Sequence, residues 1–453
     1  MSVRRDSVHP PGHRRPRSRR ICVRRQATLK RLSRSGRAPN QGGCGPIPSE
    51  SAAARRAELN TKKPRFIVKI KSQPEDFTVE EITRFHPSGG PFAFYQLEKR
   101  WIGTPEAIAR ICNRWNVERR NLAYGGLKDF HGITRQFITI WNGPKDVYED
   151  DRCRAEYLGQ APRAYTPADI DANRFEIVAR DLTPEQASRL PQALDDVARD
   201  GLPNYFDDQR FGSLGESGEF VAKPWCLGNY ERALWLALAE YNSHDNQRDK
   251  EEKAILQARW GQWTVCKAEL PKSHRRSIVT FLDDRPGDFK GAFARINVDL
   301  RGLFISAFQS DVWNRAAAIL VRRFVPEADR FDAPLFPSPL PFYRKLDDRG
   351  RELLEFTLPL PSQRLKLPPG ELNELFAEAL APHEMELKRM GVRYPRDTFF
   401  AKAERPLILE PQGVAWEVNN DTQPYKKAAT LRFELPRGAY ATLFMKRLEA
   451  AIA

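Results

Sequence analysis

Between residues 64 and 210, hydrophobic residues repeatedly alternate with polar ones or form short β-branched and aromatic runs, a pattern that predicts strands. The predicted strands cover residues 65–71, 77–82, 92–97, 136–141 and 174–179. Proline, serine and glycine residues separate several of these runs, as expected for turns. The same character returns near the C-terminus, where the predicted strands are 407–409, 414–416 and 429–435.

Two helices are predicted among these strands. The first carries apolar residues at the spacing i, i+3, i+4 and i+7, which places them on one buried face: Ile108, Ile111, Cys112 and Trp115. Thr104 is its expected N-cap, because a threonine hydroxyl can accept a hydrogen bond from the first helical turn. The second helix begins at a capping box formed by Thr183 and Gln186 and is expected to reach residue 199.

Residues 229–404 have a different character. Helical segments are predicted at 229–241, 249–258 and 306–324, and a proline-rich passage follows at 326–369. Because strand character returns only after this middle section, the section is predicted to be an insertion whose end leads the chain back to the first domain. Strands and helices without a regular βαβ alternation indicate an α+β fold.

The composition narrows the class of protein. With 453 residues, 41% of them hydrophobic, the chain is long enough for two or three domains with their own cores. No apolar run approaches the ~18–20 residues of a membrane-spanning helix, and the N-terminus lacks the apolar centre of a secretory signal. The six cysteines and seven histidines show no metal-ligand spacing, so we expect no metal, no disulfides and a cytoplasmic location.

The net charge of +15 is concentrated in the first 63 residues. These carry 17 Lys or Arg and 3 Asp or Glu, a net charge of +14, so the remaining residues are close to neutral. The segment is poor in apolar residues and is expected to be disordered. Three interpretations stay open: an RNA-binding arm that releases counterions from phosphates, an organelle-targeting peptide, or a dispensable extension that reflects the choice of start site.

The most distinctive stretch is residues 124–136, with the sequence YGGLKDFHGITRQ. Gly125 and Gly126 allow a tight turn, and Asp129 follows them shortly before the predicted strand at 136–141. A carboxylate in such a turn is well placed to face a pocket, although aspartate at this kind of position is commonly only a turn former.

Gly-Leu-Lys-Asp, followed after four residues by Thr-Arg-Gln, resembles the signature of the tRNA pseudouridine synthase D (TruD) family. Four further stretches resemble motifs of that family in the same order: 74–81 (PEDFTVEE), 203–212 (PNYFDDQRFG), 306–314 (SAFQSDVWN) and 435–442 (LPRGAYAT). Five motifs spread from about residue 65 to the C-terminus form a specific signal, which one of them alone would not give.

The resemblance implies a pseudouridine synthase-like mixed or antiparallel sheet flanked by helices and interrupted by a family-specific α/β inserted domain. The implied domains are a disordered basic tail at 1–63, a catalytic domain at 64–228 plus 405–453, and an inserted TRUD domain at 229–404. The implied activity is conversion of uridine to pseudouridine in transfer RNA, at position 13 in the D-arm region. We expect a monomer without a cofactor, because the isomerisation needs no redox step, phosphate or metal.

The resemblance makes Asp129 the catalytic nucleophile and Lys71 its charge partner. An ordinary aspartate is ionised at neutral pH, and a carboxylate that stays ionised in a closed pocket needs a cation nearby. Lys128 is adjacent in sequence, but in a strand-like conformation its side chain would point away. Lys71 is therefore favoured as the charge partner, and the alternative is an exposed edge-strand lysine. Whether the carboxylate attacks the base, attacks the sugar or removes a proton to give a glycal stays open.

The target base must leave its stack before an enzyme can reach it. By the same resemblance, Phe206 stacks on the base, Asn204 orients either the aspartate or the uracil, and Phe77 and Tyr440 are pocket aromatics. Each of these rings could equally be a core aromatic. Tyr205 alternates with its two neighbours in an extended chain, so it should face the other side and be structural.

The chain departs from the family pattern at two places. After Asp129 the family usually has a basic residue and then a small one, whereas this chain has Phe130 and His131; after Phe206 a glycine is usual, whereas this chain has Asp207. Because aspartate tolerates a left-handed backbone, the turn at Asp207 is expected to survive. The changes bear on RNA contacts near the pocket more than on catalysis.

Two other functions are compatible with the same fold or carboxylate. A non-catalytic RNA-binding or chaperone protein would not need Asp129, Asn204 and Phe206 together, and their joint presence argues against it. A retaining glycosidase would need a second carboxylate ~5 Å from Asp129, and no motif offers an obvious partner.

Overall fold

The computed structural model of the protein describes residue 70 and residues 72–453. The basic tail at 1–63, the first predicted strand and the predicted charge partner Lys71 therefore lie outside the described residues.

The strands follow one another in this order: β1 (Phe77–Thr83), β2 (Phe92–Arg100), β3 (Leu122–Tyr124), β4 (Ile133–Trp141), β5 (Tyr148–Glu149), β6 (Cys153–Ala161), β7 (Ile170–Leu182), β8 (Leu202–Pro203), β9 (Arg330–Ala333), β10 (Leu340–Tyr343), β11 (Thr357–Pro359), β12 (Glu404–Pro406), β13 (Ile408–Leu409), β14 (Gln412–Asn420) and β15 (Lys427–Pro436). The helices are α1 (Thr104–Trp115), α2 (Pro184–Asp200), α3 (Ala222–Leu227), α4 (Tyr230–Leu238), α5 (Gln247–Arg259), α6 (Trp263–Glu269), α7 (His274–Asp284), α8 (Phe289–Ala294), α9 (Val298–Phe324), α10 (Asp348–Arg351), α11 (Glu371–Leu380) and α12 (Ala441–Ile452).

A mixed nine-stranded sheet organises the described chain. Its neighbours run in the order β14, β15, β7, β1, β4, β2, β6 and β5, and β3 also pairs with β4. Strands β1 and β4 are parallel, while β7 pairs antiparallel with both β1 and β15. The C-terminal strands thus return to the sheet that the first strands begin. The predicted α+β fold with a mixed sheet is confirmed.

Helix α1 packs on the sheet through the stripe that its spacing predicts. Ile108 and Ile111 form a core cluster with Leu97 of β2 and Ile138 of β4. Each fully buried side chain of this size contributes ~1.5–3 kcal/mol relative to an exposed one. Trp115 packs against the cluster and is only partly buried, so the predicted core role is confirmed for Ile108, Ile111 and Cys112 and only in part for Trp115.

Helices α2 and α12 contact each other. The predicted capping box is confirmed: the Gln186 N–H donates to Thr183 Oγ1 over 3.1 Å, and the Thr183 N–H donates to Gln186 Oε1 over 2.9 Å. Helix α12 is absent from the prediction, although it is rich in good helix formers. It packs on β15, where the rings of Phe433 and Phe444 stack with centroids 3.9 Å apart.

The middle of the chain is mainly helical. The predicted helices at 229–241 and 249–258 correspond to α4 and α5, and the one predicted at 306–324 begins earlier, because the Asn297 side chain caps its start by accepting the Asp299 N–H. Helices α6, α7 and α8 were not predicted, since such short segments carry little periodic signal. The domain boundaries proposed from the sequence stay a prediction.

In the described part of the chain, no helix has both the length and the apolar character that crossing a bilayer demands. The cysteines there, at positions 112, 153, 226 and 266, are free thiols. The predicted absence of a metal stays a prediction.

Candidate active site

The loop that carries Asp129 joins the paired strands β3 and β4. At Gly125, near its start, an added Cβ would lie 2.6 Å from Cδ1 of Ile170. At Gly132, near its end, φ is +116° and a Cβ would lie 2.3 Å from the backbone oxygen of Phe77. Glycine alone fits at position 132, and at position 125 a larger residue would displace the Ile170 side chain, so the loop packs directly on β1 and β7.

Two buried side chains hold the backbone of this loop. The hydroxyl of Thr104 accepts the N–H of Lys128 over 3.1 Å and donates to Oε1 of Gln136 over 2.9 Å. The Gln136 amide in turn donates to the carbonyl of Gly126 over 3.3 Å. The prediction of Thr104 as a helix N-cap is wrong: Gly103 occupies that position, and the hydroxyl serves the loop instead.

A buried lysine reaches the loop from β2. Nζ of Lys99 donates to the carbonyl oxygens of Asp129 over 2.5 Å and of Ile102 over 2.9 Å, and lies 3.5 Å from that of Lys128. Burial lowers the pKa of Lys99 to about 8, and the Asp129 carboxylate opposes that shift. Lys99 therefore fixes the loop backbone and places a positive charge near the Asp129 carboxylate.

A cavity of about 370 Å³ opens beside Asp129. Phe77 and Tyr440 line it together with Asp129, and the rest of its wall is formed by Val79, Gly125, Gly126, Leu127, Lys128, Ile170, Asn173, Phe175, Gln209, Arg437, Gly438, Ala439, Ala441 and Thr442. Asp129 is the only acidic residue among the described residues of this wall. The Gln209 amide donates to Asp129 Oδ1 over 3.4 Å. The size suits a small-molecule group such as a single nucleoside, since ligand pockets measure ~300–1,000 Å³.

Lys128 lies in the wall of the cavity but is paired elsewhere. Its ammonium lies 3.0 Å from Oε1 of buried Glu81 and donates to Oδ1 of Asn173 over 2.6 Å. The other oxygen of Glu81 accepts the N–H of Phe137 over 2.9 Å. These contacts agree with the expectation that the side chain of Lys128 turns away from its neighbour Asp129.

Asn204 is buried and engaged with the segment around β12. Its amide donates to the carbonyl of Pro406 over 3.0 Å, and its oxygen accepts from the Arg405 guanidinium over 2.5 Å. Its backbone N–H donates to the carbonyl of Leu407 over 2.9 Å. The short pairing of β8 with β13 brings these two segments together.

Phe206 is buried between charged and aromatic groups. Its ring contacts Trp313 edge-on at 5.6 Å, and the Arg405 guanidinium lies 4.3 Å from its centroid. Its backbone N–H and carbonyl both bond the Asn314 side-chain amide over 2.8 Å. Burial lowers the pKa of Arg405 to about 10, because a buried guanidinium loses the hydration that stabilises its charge.

Arg405 connects the Asn-Tyr-Phe motif, residues 204–206, to the wall of the cavity. Besides Asn204, it donates to the carbonyl of Gly438 over 3.0 Å, and Gly438 and Tyr440 belong to the same stretch of the cavity wall. A guanidinium suits this task because its donors are fixed in a planar fork.

Asp207, which directly follows Phe206, connects this segment to helix α12. Its carboxylate accepts from the Lys446 ammonium over 2.8 Å and from the Thr442 hydroxyl, and both ion-pair side chains are almost fully buried. Its φ is −88°, so the expected use of a left-handed conformation is wrong: the chain is extended there, and any residue could adopt that backbone.

The structure thus brings three predicted site residues together in one cavity: Asp129, Phe77 and Tyr440. Asn204 and Phe206 lie outside its described lining and are linked to it through Arg405. Tyr205 is structural, as predicted: it is buried and its hydroxyl donates to the carbonyl of Pro341 over 2.8 Å.

Lys99 was missed at the sequence level, although β2 carries a signal for it. In a strand, residues two apart share a face, so Lys99 lies on the same face as the core residues Tyr95 and Leu97. A lysine on an apolar strand face is uncommon unless its charge has a partner. Arg405 gave no such signal, since its partner Asn204 lies 201 positions away in the chain.

Comparisons with known proteins support one family. The model of the family "tRNA pseudouridine synthase D (TruD)" matches residues 57–332 and 343–448. A Geobacter sulfurreducens protein named tRNA pseudouridine synthase D is 30% identical over 84% of this chain and 93% of its own length. A protein of the same name from Aquifex aeolicus is 27% identical over 84% of this chain and 98% of its own length.

Among solved structures, a crystal structure from Methanosarcina mazei with the same family assignment has a TM-score of 0.65. It is 23% identical and covers 85% of this chain and 94% of that chain, a likeness that shows the shared fold. The match to the family model extends over most of the sequence, and the chain therefore belongs to the tRNA pseudouridine synthase D (TruD) family.

Proposed function

We propose that this protein isomerises a uridine of transfer RNA to pseudouridine, with Asp129 as the nucleophile. One observation supports this most directly: Asp129 is the only acidic residue in the described lining of a cavity that Phe77 and Tyr440 also line. The names of the relatives agree with it, since they are called tRNA pseudouridine synthases.

The reaction balances without any external reagent. The N1–C1′ bond breaks, the uracil turns, a C5–C1′ bond forms, C5 loses its hydrogen as a proton, and N1 gains one. An ionised carboxylate beside the nucleoside serves each of the three routes, attack on the base, attack on the sugar or removal of a proton. Among the described residues of the cavity wall there is no second carboxylate, which disfavours a retaining glycosidase.

The walls of the cavity suit an extruded base. Aromatic faces stack on bases and side-chain amides match their polar edges. We assign Tyr440 to the first task, with the buried ring of Phe77 as an apolar part of the same wall, and the amides of Asn173 and Gln209 to the second; all four residues line the cavity. Arg437, in the same wall, is suitably charged for a neighbouring phosphate.

Asn204 and Phe206 are assigned a supporting role in substrate binding. Both contact Arg405, which also bonds the carbonyl of Gly438 in the cavity wall. Lys71 remains the proposed charge partner of Asp129. Lys99 is a second cation, which holds the loop by donating to the carbonyl of Asp129.

The finer parts of the proposal follow the family. The expected target is the uridine at position 13, in the D-arm region of the transfer RNA. We further propose that the enzyme is a cytoplasmic monomer without a cofactor.

Release of tritium from transfer RNA transcribed with 5-tritiated uridine tests the proposal, since forming the C5–C1′ bond expels the C5 hydrogen. Wild type should release tritium and Asp129→Asn should release none while binding the RNA as tightly. Asp195→Asn, at an exposed position of α2, is the matched control and should retain full activity. A chain starting at residue 64 shows whether the basic tail contributes.

A transcript with cytidine at position 13 locates the target. Loss of release from that transcript supports position 13, and unchanged release places the target elsewhere. If wild type binds transfer RNA but releases no tritium from any transcript, the protein is a non-catalytic RNA-binding protein or acts on another RNA.

A further inference from the structure

Three rings form an exposed aromatic cluster beside the Asp129 loop: Trp101, Phe130 and His131. Trp101 is 40% exposed and Phe130 is 46% exposed. The ring of His131 lies edge-on to both, with centroids 5.8 Å from Trp101 and 5.0 Å from Phe130. The cluster therefore presents a large part of its aromatic surface to solvent, and this exposed part adds nothing to the core.

The backbone holds Trp101 at this surface in an unfavourable conformation. Its φ is +48°, a left-handed value that is uncommon for a bulky aromatic residue. Its N–H donates to the carbonyl of Gly132 over 3.3 Å, and its carbonyl accepts from the Arg152 guanidinium over 3.0 Å. Backbone strain that the surroundings maintain is concentrated at functional positions.

The cluster follows the cavity wall directly along the chain. Phe130 and His131 directly follow Asp129, and Leu127, which is 69% exposed, belongs to the cavity wall. Gly132 anchors the end of this loop on Phe77 through the close approach described above. A nucleotide next to one held in the cavity can therefore reach the cluster.

Two arginines, Arg100 and Arg152, flank the cluster. Their positive charges can attract the phosphates of a nucleic acid. Arg100 pairs with Glu75, and Arg152 lies 3.6 Å from Asp151, with roughly half of each arginine side chain exposed. Exposed ion pairs of this kind are weak, so a phosphate can compete for the guanidinium groups. Aromatic faces next to such cations are the usual surface for unpaired nucleotides.

We propose that Trp101, Phe130 and His131 form a stacking platform for unpaired nucleotides that flank the target uridine. The proposal rests on the function proposed above and extends it from the reacting base to its neighbours. The ligand is single-stranded RNA, since its unstacked bases can lie on exposed rings whatever their sequence.

The test compares Trp101→Ala, Phe130→Ala and their double variant with two controls. Trp141→Ala removes a tryptophan of similar exposure at the opposite end of β4, roughly 26 Å from Ile133 at ~3.3 Å per strand residue. Tyr425→Ala removes an almost fully exposed ring from the turn between β14 and β15. Alanine keeps the Cβ, so the backbone strain at position 101 is unchanged, and thermal unfolding verifies that each variant folds.

Dissociation constants are measured in the Asp129→Asn background with transfer RNA and with an oligouridine of about ten nucleotides. The platform variants should bind both about 5- to 100-fold more weakly, with an unchanged slope of affinity against salt, because no phosphate contact is lost. With active enzyme, tritium release should show a raised KM and a nearly unchanged kcat. Phe130→Tyr, which keeps the ring, should restore binding, and the control variants should match wild type.

Unchanged RNA affinity in folded platform variants overturns the platform even if wild type is active, and would favour a protein partner for this surface. If wild type releases no tritium, the proposed function fails, but the oligouridine affinities still decide whether the rings bind RNA. A drop in affinity that disappears at high salt would also overturn the platform, since it would indicate altered phosphate contacts.

Discussion

The ammonium group of Lys99 lies 2.5 Å from the carbonyl oxygen of Asp129. It acts on the backbone of the residue whose side chain faces the cavity. This hydrogen bond fixes the backbone position from which the Asp129 side chain extends. Catalytic groups must be held within a fraction of an ångström to react efficiently. The buried Lys99 is thus a positioning residue in this proposal.

Replacing Lys99 by methionine should lower kcat about 10- to 100-fold and leave KM nearly unchanged, because the loop loses its anchor while the cavity wall stays in place. The free energy of unfolding should fall by no more than ~1–3 kcal/mol, since the lost hydrogen bonds are offset by removing a buried charge. Steady-state tritium release and chemical denaturation measure the two effects. Lys388→Met, at an exposed position, is the matched control, and a wild-type kcat in Lys99→Met would contradict the positioning role.

The activity should decline as pH rises through about 8. Burial lowers the pKa of Lys99 to about 8, so above this pH the lysine becomes neutral, its hydrogen bonds weaken and its positive charge near Asp129 is lost. The pH profile of kcat should show a basic limb in wild type that is absent in Lys99→Met. If both enzymes decline with the same apparent pKa, the limb belongs to another group.

Stability should change with pH in the opposite sense. Because the pKa of Lys99 is lower in the folded state than its ordinary value of 10.5, the unfolded chain holds one more proton between about pH 8 and 10.5. The free energy of unfolding of wild type relative to Lys99→Met should therefore rise across this interval and be constant below it. Denaturant titrations at several pH values measure the difference, and a fall across the interval would show that burial does not depress this pKa.

Gly132→Ala should abolish activity and destabilise the fold by more than ~3 kcal/mol, because φ is +116° and the new Cβ would collide with the Phe77 backbone. Gly89→Ala separates the effect of the left-handed backbone from the effect of the steric collision. Its φ is +84°, but a Cβ there meets nothing within 4 Å, so it should cost only the ~1–2 kcal/mol of a left-handed alanine. Thermal unfolding and tritium release provide the measurements, and equal losses for the two variants would argue against the close approach to Phe77.

Arg405→Lys should lower kcat/KM about 10- to 100-fold, because lysine cannot reproduce the fork that joins Asn204 to Gly438. It should also reduce the free energy of unfolding by ~2–4 kcal/mol by leaving buried acceptors without donors. The control is Arg432→Lys in an exposed pair with Glu176, expected to change stability by less than ~1 kcal/mol. Wild-type kinetics in Arg405→Lys would remove the link between the Asn-Tyr-Phe motif and the cavity.

Local patterns along the chain were sufficient for much of the fold. The strand at 136–141 and the stripe of Ile108 and Ile111 follow from periodicity, and the box of Thr183 and Gln186 follows from capping rules. These features depend on neighbours a few residues apart. Helix α12 was missed although its composition favours a helix, and Thr104 was misassigned because a capping residue type says nothing of a more distant partner.

The sequence by itself determined the strand and stripe patterns, the glycine turn and the family motif that point to Asp129. Only the tertiary structure decided which side chains meet there. Lys99 donates to the loop backbone at Asp129, and Phe77 and Tyr440 line the same cavity as Asp129. Arg405 links Asn204 to the cavity wall. The reason is physical. Periodicity fixes the face on which a residue lies, whereas its contacts across the sheet depend on how distant segments pack together.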